Sequence, residues 1–448
     1  MKNKEKIFKI CKQIIQILIF IQIILGIIFI CKNIKYIPQY GDTSEYLEIA
    51  KTMQLDAYRP FVYPSILNLS QKLSESMQIN LTYIIYFIQL GISLFASITL
   101  INTLEKTFKI KLSKYETIIY SLFIFFIPFN LHFNMSILSD SIATSFTILF
   151  VCYMMRYLKS EKIKYAVLSL IMMFISSNIR SERIYFLSFV IIGIIVIDII
   201  INLIKKQKVN IQKMLVLVAI LVLGITSTKI AQKIFQTSED NKRSQPSVTM
   251  YLYERIIGTT LPQIYEYLPE DVKEVITYED AITSSQGPNN YKIPYEKLYE
   301  LDGDLHRVNK IVLTAFRRNF PNIISNILRD FGKNMISPYY FTFDNTSGNY
   351  EWTKTRMEGE HYLFTDMYIL YFEILFVIIT IYVFLNVIIN KRKIYFSKEL
   401  ETIILYAFIS SVFFALLTSQ NFHIRYIMPV YVLEISMIVI LLGERENE

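Results

Sequence analysis

Runs of about 20 apolar residues, parted by short charged loops, recur along the whole of this 448-residue chain, and the pattern leaves few folds open. A helix of roughly 20 apolar residues crosses about 30 Å of hydrocarbon. Inside the hydrocarbon only helices and closed barrels satisfy every backbone N–H and C=O. About ten helical spans are expected. They are Ile14–Ile30, Leu81–Ile101, Glu116–Asn130, Leu138–Leu158, Tyr165–Ser177, Ile184–Ile204, Met214–Ile234, Met367–Asn390, Leu400–Thr418 and Tyr426–Leu442. With 53% hydrophobic residues and a mean hydropathy of +0.37, the chain is too apolar for a soluble protein of its size. The expected fold class is therefore an all-α integral membrane protein.

The formal net charge of +8 does not point to nucleic acid, because the cations sit in short loops as they do beside an anionic inner leaflet. Lys106, Lys109, Lys111 and Lys114 form one cluster, and Arg156, Lys159, Lys162 and Lys164 a second. Lys205, Lys206, Lys208 and Lys213 form a third, and Lys391, Arg392, Lys393 and Lys398 a fourth. These clusters fall in alternate loops, so the positive-inside rule predicts both termini in the cytoplasm, and with no signal or transit peptide read in the sequence the expected location is the plasma membrane, multi-pass. The short run Tyr165–Ser177 has to cross, since otherwise the third cluster would face outward. Lys2, Lys4, Lys6, Lys9 and Lys12 precede an apolar run as in a secretory signal. No small-residue cleavage site follows Ile30, so a retained first span is expected. Cys11, Cys31 and Cys152 are too few for a disulfide framework or a metal cluster.

This topology divides the chain into a module over 1–234, an outward region over 235–366 and C-terminal spans over 367–448. It leaves a first outer loop over 31–80. There Tyr46, Ile49, Ala50 and Met53 recur at helical spacing, as do Ile66, Leu69, Leu73 and Met77 beyond Arg59-Pro60-Phe61-Val62-Tyr63-Pro64. Two amphipathic helices on the membrane surface are expected from that spacing. In the larger region Leu305–Asn319 and Asn322–Ile336 read as helices parted at Pro321, making a small extracytoplasmic domain. No internal repeat or inverted symmetry is visible.

Four polar groups fall on the outward side. Asp42 opens a helix in Gly41-Asp42-Thr43-Ser44-Glu45-Tyr46, either as a base for an acceptor hydroxyl or, with Glu45, as a capping box. Asp140 enters a span in Leu138-Ser139-Asp140-Ser141, where a carboxylate pairs, binds a cation or caps the helix. Arg180 and Arg183 sit in an outward turn where positive-inside bias disfavours them. Their forks suit phosphate oxygens, and the plainer alternatives are a pair with Glu182 or contact with lipid head groups. His423 and Arg425 lie at the outer mouth of the last span. Carboxylates that activate a hydroxyl thus share a face with cations that hold phosphate, which suits transfer from a lipid phosphate. The cytoplasmic loops carry no Gly-rich phosphate loop and no metal-ligand spacing, against a soluble nucleotide donor.

These residues resemble the GT-C superfamily of polytopic glycosyltransferases, in particular the protein O-mannosyltransferase and aminoarabinose-transferase-like enzymes. The resemblance runs through the Asp-x-x-x-Tyr start and Arg-Pro-x-x-Tyr-Pro end of Asp42 to Pro64, Ser139-Asp140, Arg180 to Arg183, the helices around Phe320-Pro321, and Arg425-Tyr426 with Pro429. It implies sugar transfer from a polyprenyl-phosphate donor to a lipid, glycan or protein acceptor outside the cytoplasm, with inversion at the sugar carbon. Asp42 would then be the base, and Asp140 would assist it or a cation. Arg59, Arg180, Arg183 and Arg425 would hold the donor phosphate, with Tyr63, Glu182 and His423 among the substrate-binding residues. Thr43 stands where the eukaryotic mannosyltransferases have a second acidic residue, so metal use stays open between none and a divalent cation. Two other readings remain. A polysaccharide polymerase or ligase shares the outward arginines. A lipid or solute transporter would place ionisable groups at mid-membrane, whereas Asp198 and Glu434 lie toward the inner ends of their spans.

Overall fold

A computed structural model describes residues 2–34, 41–55, 59–235, 260–285, 297, 306–335, 361–389, 400–417 and 424–445. The described chain is helical apart from one two-residue strand pair. The N-terminal helices are α1 (Lys2–Asn33), α2 (Gly41–Thr52), α3 (Val62–Met77), α4 (Leu81–Phe108), α5 (Lys114–Phe125), α6 (Pro128–Asn134), α7 (Asp140–Ser160), α8 (Ile163–Ser177), α9 (Arg183–Ile204) and α10 (Ile211–Phe235). After the short helices Glu270–Lys273 and Tyr278–Ser285 come α11 (His306–Met335), α12 (His361–Ile389), α13 (Leu400–Leu417) and α14 (Ile424–Ile440).

Six of the described helices, α1, α4, α7, α9, α10 and most of α12, are long and apolar enough to cross a membrane, and α5 with α6 makes a seventh if the bent pair is counted as one span. Shorter apolar helices cover Ile163–Ser177, Thr402–Val412 and Ile427–Ile440. Each expected span therefore overlaps a described helix, but length and apolarity support six or seven crossings rather than ten. The fold is that of an all-α, multi-pass membrane protein. Exposed isoleucine, leucine and phenylalanine side chains on α1, α9, α10 and α12 make the lipid-facing surface that such helices require.

The run Glu116–Asn130 is not a straight span. It breaks after Phe125, and α6 turns away from α5 by 68°. Pro128 supplies the reason, since a proline in a helix interior removes an N–H and clashes with the preceding turn. A break inside the bundle frees carbonyls that water cannot reach. The Phe126 carbonyl accepts from Tyr368 Oη at 2.5 Å and Gln22 Nε2 at 3.4 Å. Beyond α6, Gln89 Nε2 donates to the Asn134 and Ser136 carbonyls at 2.8 and 2.9 Å. Gly26 lets α1 pass against the break, because a Cβ there would overlap the Phe126 ring.

α7 is the central helix, with 89% of its most apolar window buried. It packs on α4, α8, α13 and α14. One core cluster takes residues from α1 through α10 and again from α12 to α14, so the C-terminal helices complete the N-terminal module. A second cluster joins Leu261, Ile264, Val272 and Ile276 to Val308, Ile311 and Ala315 of α11. α11 joins two helices across a kink at Asn319, where φ is −133°, two residues before the division expected at Pro321.

The start of α1, the loop after α4 and the C-terminus share one end of the bundle. Lys12 Nζ pairs with Glu116 at 2.7 Å. Ile110 pairs with Arg445 in the antiparallel β1 (Ile110–Lys111) and β2 (Glu444–Arg445).

Candidate functional site

The opposite end of the bundle is built from α2, the segment before α3, the entry to α7 and the turn between α8 and α9. The apolar face of α2, with Tyr46, Ile49 and Ala50 buried, packs on protein rather than lying on the membrane surface as expected. Asn68 Nδ2 of α3 donates to the Ala50 carbonyl at 2.7 Å, and Thr43 Oγ1 donates to the Ile137 carbonyl at 3.3 Å. α3 buries Tyr63 and Leu67 and leaves the expected apolar row Leu69, Leu73 and Met77 outward, which fits lipid contact. The Val62 N–H donates to the Asn178 carbonyl at 3.1 Å, tying the first loop to the arginine-bearing turn.

Two carboxylate–guanidinium clusters result. In one, Arg59 Nη2 donates to Asp42 Oδ1 at 3.1 Å and to Glu45 Oε2. In the other, Arg180 Nη1 donates to Asp140 Oδ1 and Arg180 Nε to Glu182 Oε1, both at 2.5 Å. Tyr46 joins them. The Arg59 guanidinium lies 4.4 Å from the Tyr46 ring centroid, and Tyr46 Oη donates to Ser139 Oγ at 2.7 Å, next to Asp140. Asp42 and Glu45 therefore pair with Arg59, whatever capping they add. Ser139, at the N-terminal boundary of α7, makes no capping hydrogen bond and accepts from Tyr46.

Burial separates the two clusters. Asp140 has a side chain only 1% exposed and Glu182 9%, against 32% for Asp42 and 27% for Glu45. Burial opposes the Glu182 carboxylate, but the Arg180 and Arg183 guanidiniums overcome it and hold its pKa below the ordinary glutamate value. Burial likewise opposes the Arg59 cation, and Tyr46, Glu45 and Asp42 together raise its pKa instead. Burial also raises the Tyr46 phenol, so it stays protonated and serves as a donor.

Asp42, Arg59, Asp140, Arg180 and Glu182 are thus brought together. Tyr63 lies beneath them and is fully buried. Its ring meets Tyr46 edge-on at 4.9 Å, and its Oη donates to Gln89 Oε1 at 3.1 Å. Arg183 turns into the bundle, fully buried, where Nη1 donates to Tyr406 Oη of α13 at 3.2 Å. Arg425 lies in the first turn of α14, and His423 lies outside the described residues. Asp198 pairs with Lys213 between α9 and α10. The support from Gln89 is not announced by charge or motif, and the Asp-x-x-x-Tyr start that contains Tyr46 does not state its linking role. Glu373, buried within α12, adds an ionisable group that the sequence reading passed over.

Among the described residues no group of three or more His, Cys, Asp or Glu is arranged to hold a metal ion. The four carboxylates are instead interleaved with two arginines. Such an arrangement is able to accept a proton at a carboxylate or to offer N–H forks to an anion.

No protein-family model matches the chain, and no curated protein matches it. Three solved chains do. One is the crystal structure of ArnT from Cupriavidus metallidurans bound to undecaprenyl phosphate, 9% identical, over 94% of this chain and 77% of that one, with a TM-score of 0.34. At that score the two backbones superpose only loosely.

Proposed function

We propose that this protein is a membrane glycosyltransferase, moving a sugar from a polyprenyl-phosphate donor to an acceptor on the face opposite its basic loops. The observation that carries the reading is the convergence of Asp42, Arg59, Asp140 and Arg180, from four separate segments, at one end of the helices. The motif resemblance of Asp42 to Pro64 points the same way. Transfer from a lipid phosphate asks for two things. A carboxylate must take the acceptor's proton, and fixed cations must hold the leaving phosphate.

Arg59 holds Asp42 at 3.1 Å, and Asp42 is the most exposed of the four carboxylates. Donor phosphate arriving at Arg59 displaces Asp42, so donor binding itself frees the base. The acceptor oxygen then attacks the anomeric carbon and passes its proton to Asp42. The carbon–oxygen bond to phosphate breaks with its electron pair leaving on the phosphate. Asp140 and Glu182 keep Arg180 oriented toward the same place. Both termini and the lysine-rich loops lie on the cytoplasmic side in this reading, with each of the ten apolar helical segments crossing.

Purified protein is to be incubated with a panel of polyprenyl-phosphate sugars and assayed for released polyprenyl phosphate. One donor class is expected to turn over, with Asp42→Asn and Arg59→Ala both slower than the native chain. Equal release by all three would refute the assignment. One observation favours a second reading. Glu373, buried in α12, is the kind of intramembrane carboxylate that marks ion or solute pathways. Solute or lipid crossing vesicles without donor turnover would select that transporter reading.

A further inference from the structure

α7 rises about 1.5 Å per residue, so Lys159 lies about 28 Å along its axis from Asp140, close to the thickness of the hydrocarbon core. At that far end the last turns of α4 and α7 and the start of α8 form an open cleft of about 120 Å³, lined by Thr103, Lys106, Thr107, Arg156, Lys159 and Tyr165. Arg156 is half-buried in its wall. Its Nε donates to Thr103 Oγ1 at 2.9 Å and its Nη2 to the Thr99 carbonyl at 3.3 Å. Lys159 Nζ donates to the Lys106 carbonyl at 2.5 Å, which ties the end of α7 to the last turn of α4. No carboxylate lines the cleft. Among the described residues none forms an ion pair with Lys106, Arg156 or Lys159.

Positive-inside bias accounts for cations at this end, but not for three of them converging on a walled cleft without a counter-ion. Arg156 is half-buried while Lys106 and Lys159 are exposed, and three like charges gathered on one cleft repel one another and favour a bound anion. The hydroxyl of Tyr165 adds a donor for a phosphate oxygen. Beside the cleft, Ile163 and Val167 of α8 and Ile98 of α4 are exposed by 63%, 49% and 41%. These form an apolar surface on which acyl chains lie while the head group sits among the cations.

We infer that this cleft is a binding site for one anionic glycerophospholipid, its phosphate held by Lys106, Arg156 and Lys159 in the leaflet opposite the carboxylate–arginine site. The full chain in neutral detergent is to be titrated with dioctanoyl phosphatidylglycerol, dioctanoyl phosphatidylcholine and inorganic phosphate, with bound lipid counted by native mass spectrometry. The expected result is one retained phosphatidylglycerol, bound at least about tenfold more tightly than phosphatidylcholine, whose head group carries no net charge. Lys106→Gln with Lys159→Gln removes that preference. Lys205→Gln with Lys206→Gln, which deletes the same charge at the same end outside the cleft, leaves it intact. Equal retention of the two lipids, equal loss in both double variants, or displacement of the lipid by millimolar phosphate would each overturn the inference.

Discussion

Replacing Arg180 should cost this protein far more stability than replacing Arg59, although each guanidinium holds two carboxylates. Arg180→Ala strands Asp140, 1% exposed, and Glu182, 9% exposed. Breaking a buried pair by removing one partner costs about 3–5 kcal/mol, because the remaining charge is neither hydrated nor compensated. Arg59→Ala strands Asp42 and Glu45, whose side chains are 32% and 27% exposed. Water reaches both, so their loss of pairing is expected to cost about 1 kcal/mol or less. Unfolding of the purified chain by SDS in mixed micelles, followed by circular dichroism, measures both variants against the native protein. A second construction separates charge from packing. Adding Asp140→Asn and Glu182→Gln to Arg180→Ala removes the stranded charges and should recover more than half of the loss. Comparable destabilisation by Arg59→Ala and Arg180→Ala, or no recovery in the triple variant, would refute the burial reasoning.

Three further outcomes follow from the supports of the site. Gln89→Leu takes its partner from the buried Asn134 carbonyl and from the Tyr63 hydroxyl, while the Ser136 carbonyl keeps the Leu138 N–H, and should cost about 1–3 kcal/mol for each group stranded, read in the same SDS titration. Gly26→Leu drives a side chain into the Phe126 ring at the helix break and should lower the thermal midpoint, whereas Gly91→Leu, which faces open space, should not. Glu182 has a folded pKa below its ordinary 4.5, so its contribution to stability is complete above that value and is lost as pH falls through the lowered one. Stability measured from neutral pH downward should therefore fall less steeply below about pH 4.5 in Glu182→Gln than in the native chain.

Hydropathy made the bundle legible because the bilayer imposes it. A run such as Leu81–Ile101 has no stable alternative to a helix once it lies in hydrocarbon. The break between α5 and α6 was less legible, since Leu122–Phe129 is apolar on both sides of it and only Pro128 marks the interruption. Asp140 and Arg180 stood out as charges in apolar surroundings. Their pairing did not, because it depends on α7 and α8 lying side by side. Arg180 and Arg183 read alike in sequence, yet the start of α9 falls at Arg183 and aims it at Tyr406. Asp42 with Glu45 had the spacing of a capping box, and the partner that draws both, Arg59, comes from the far side of a loop. Tyr46 carried the signal of a core residue, and it is one. What periodicity cannot state is that its hydroxyl reaches Ser139.

The most direct test of the proposed chemistry is the rate at which polyprenyl phosphate is released from a turning-over polyprenyl-phosphate sugar, compared between native protein and Asp42→Asn at matched folded concentration. Asp42→Asn keeps the shape of the side chain and removes only its capacity to take a proton, so general-base catalysis predicts a fall of about 10²–10⁴-fold with little change in stability. Release at the native rate by Asp42→Asn, or no release from any polyprenyl-phosphate sugar by the native chain, would contradict it.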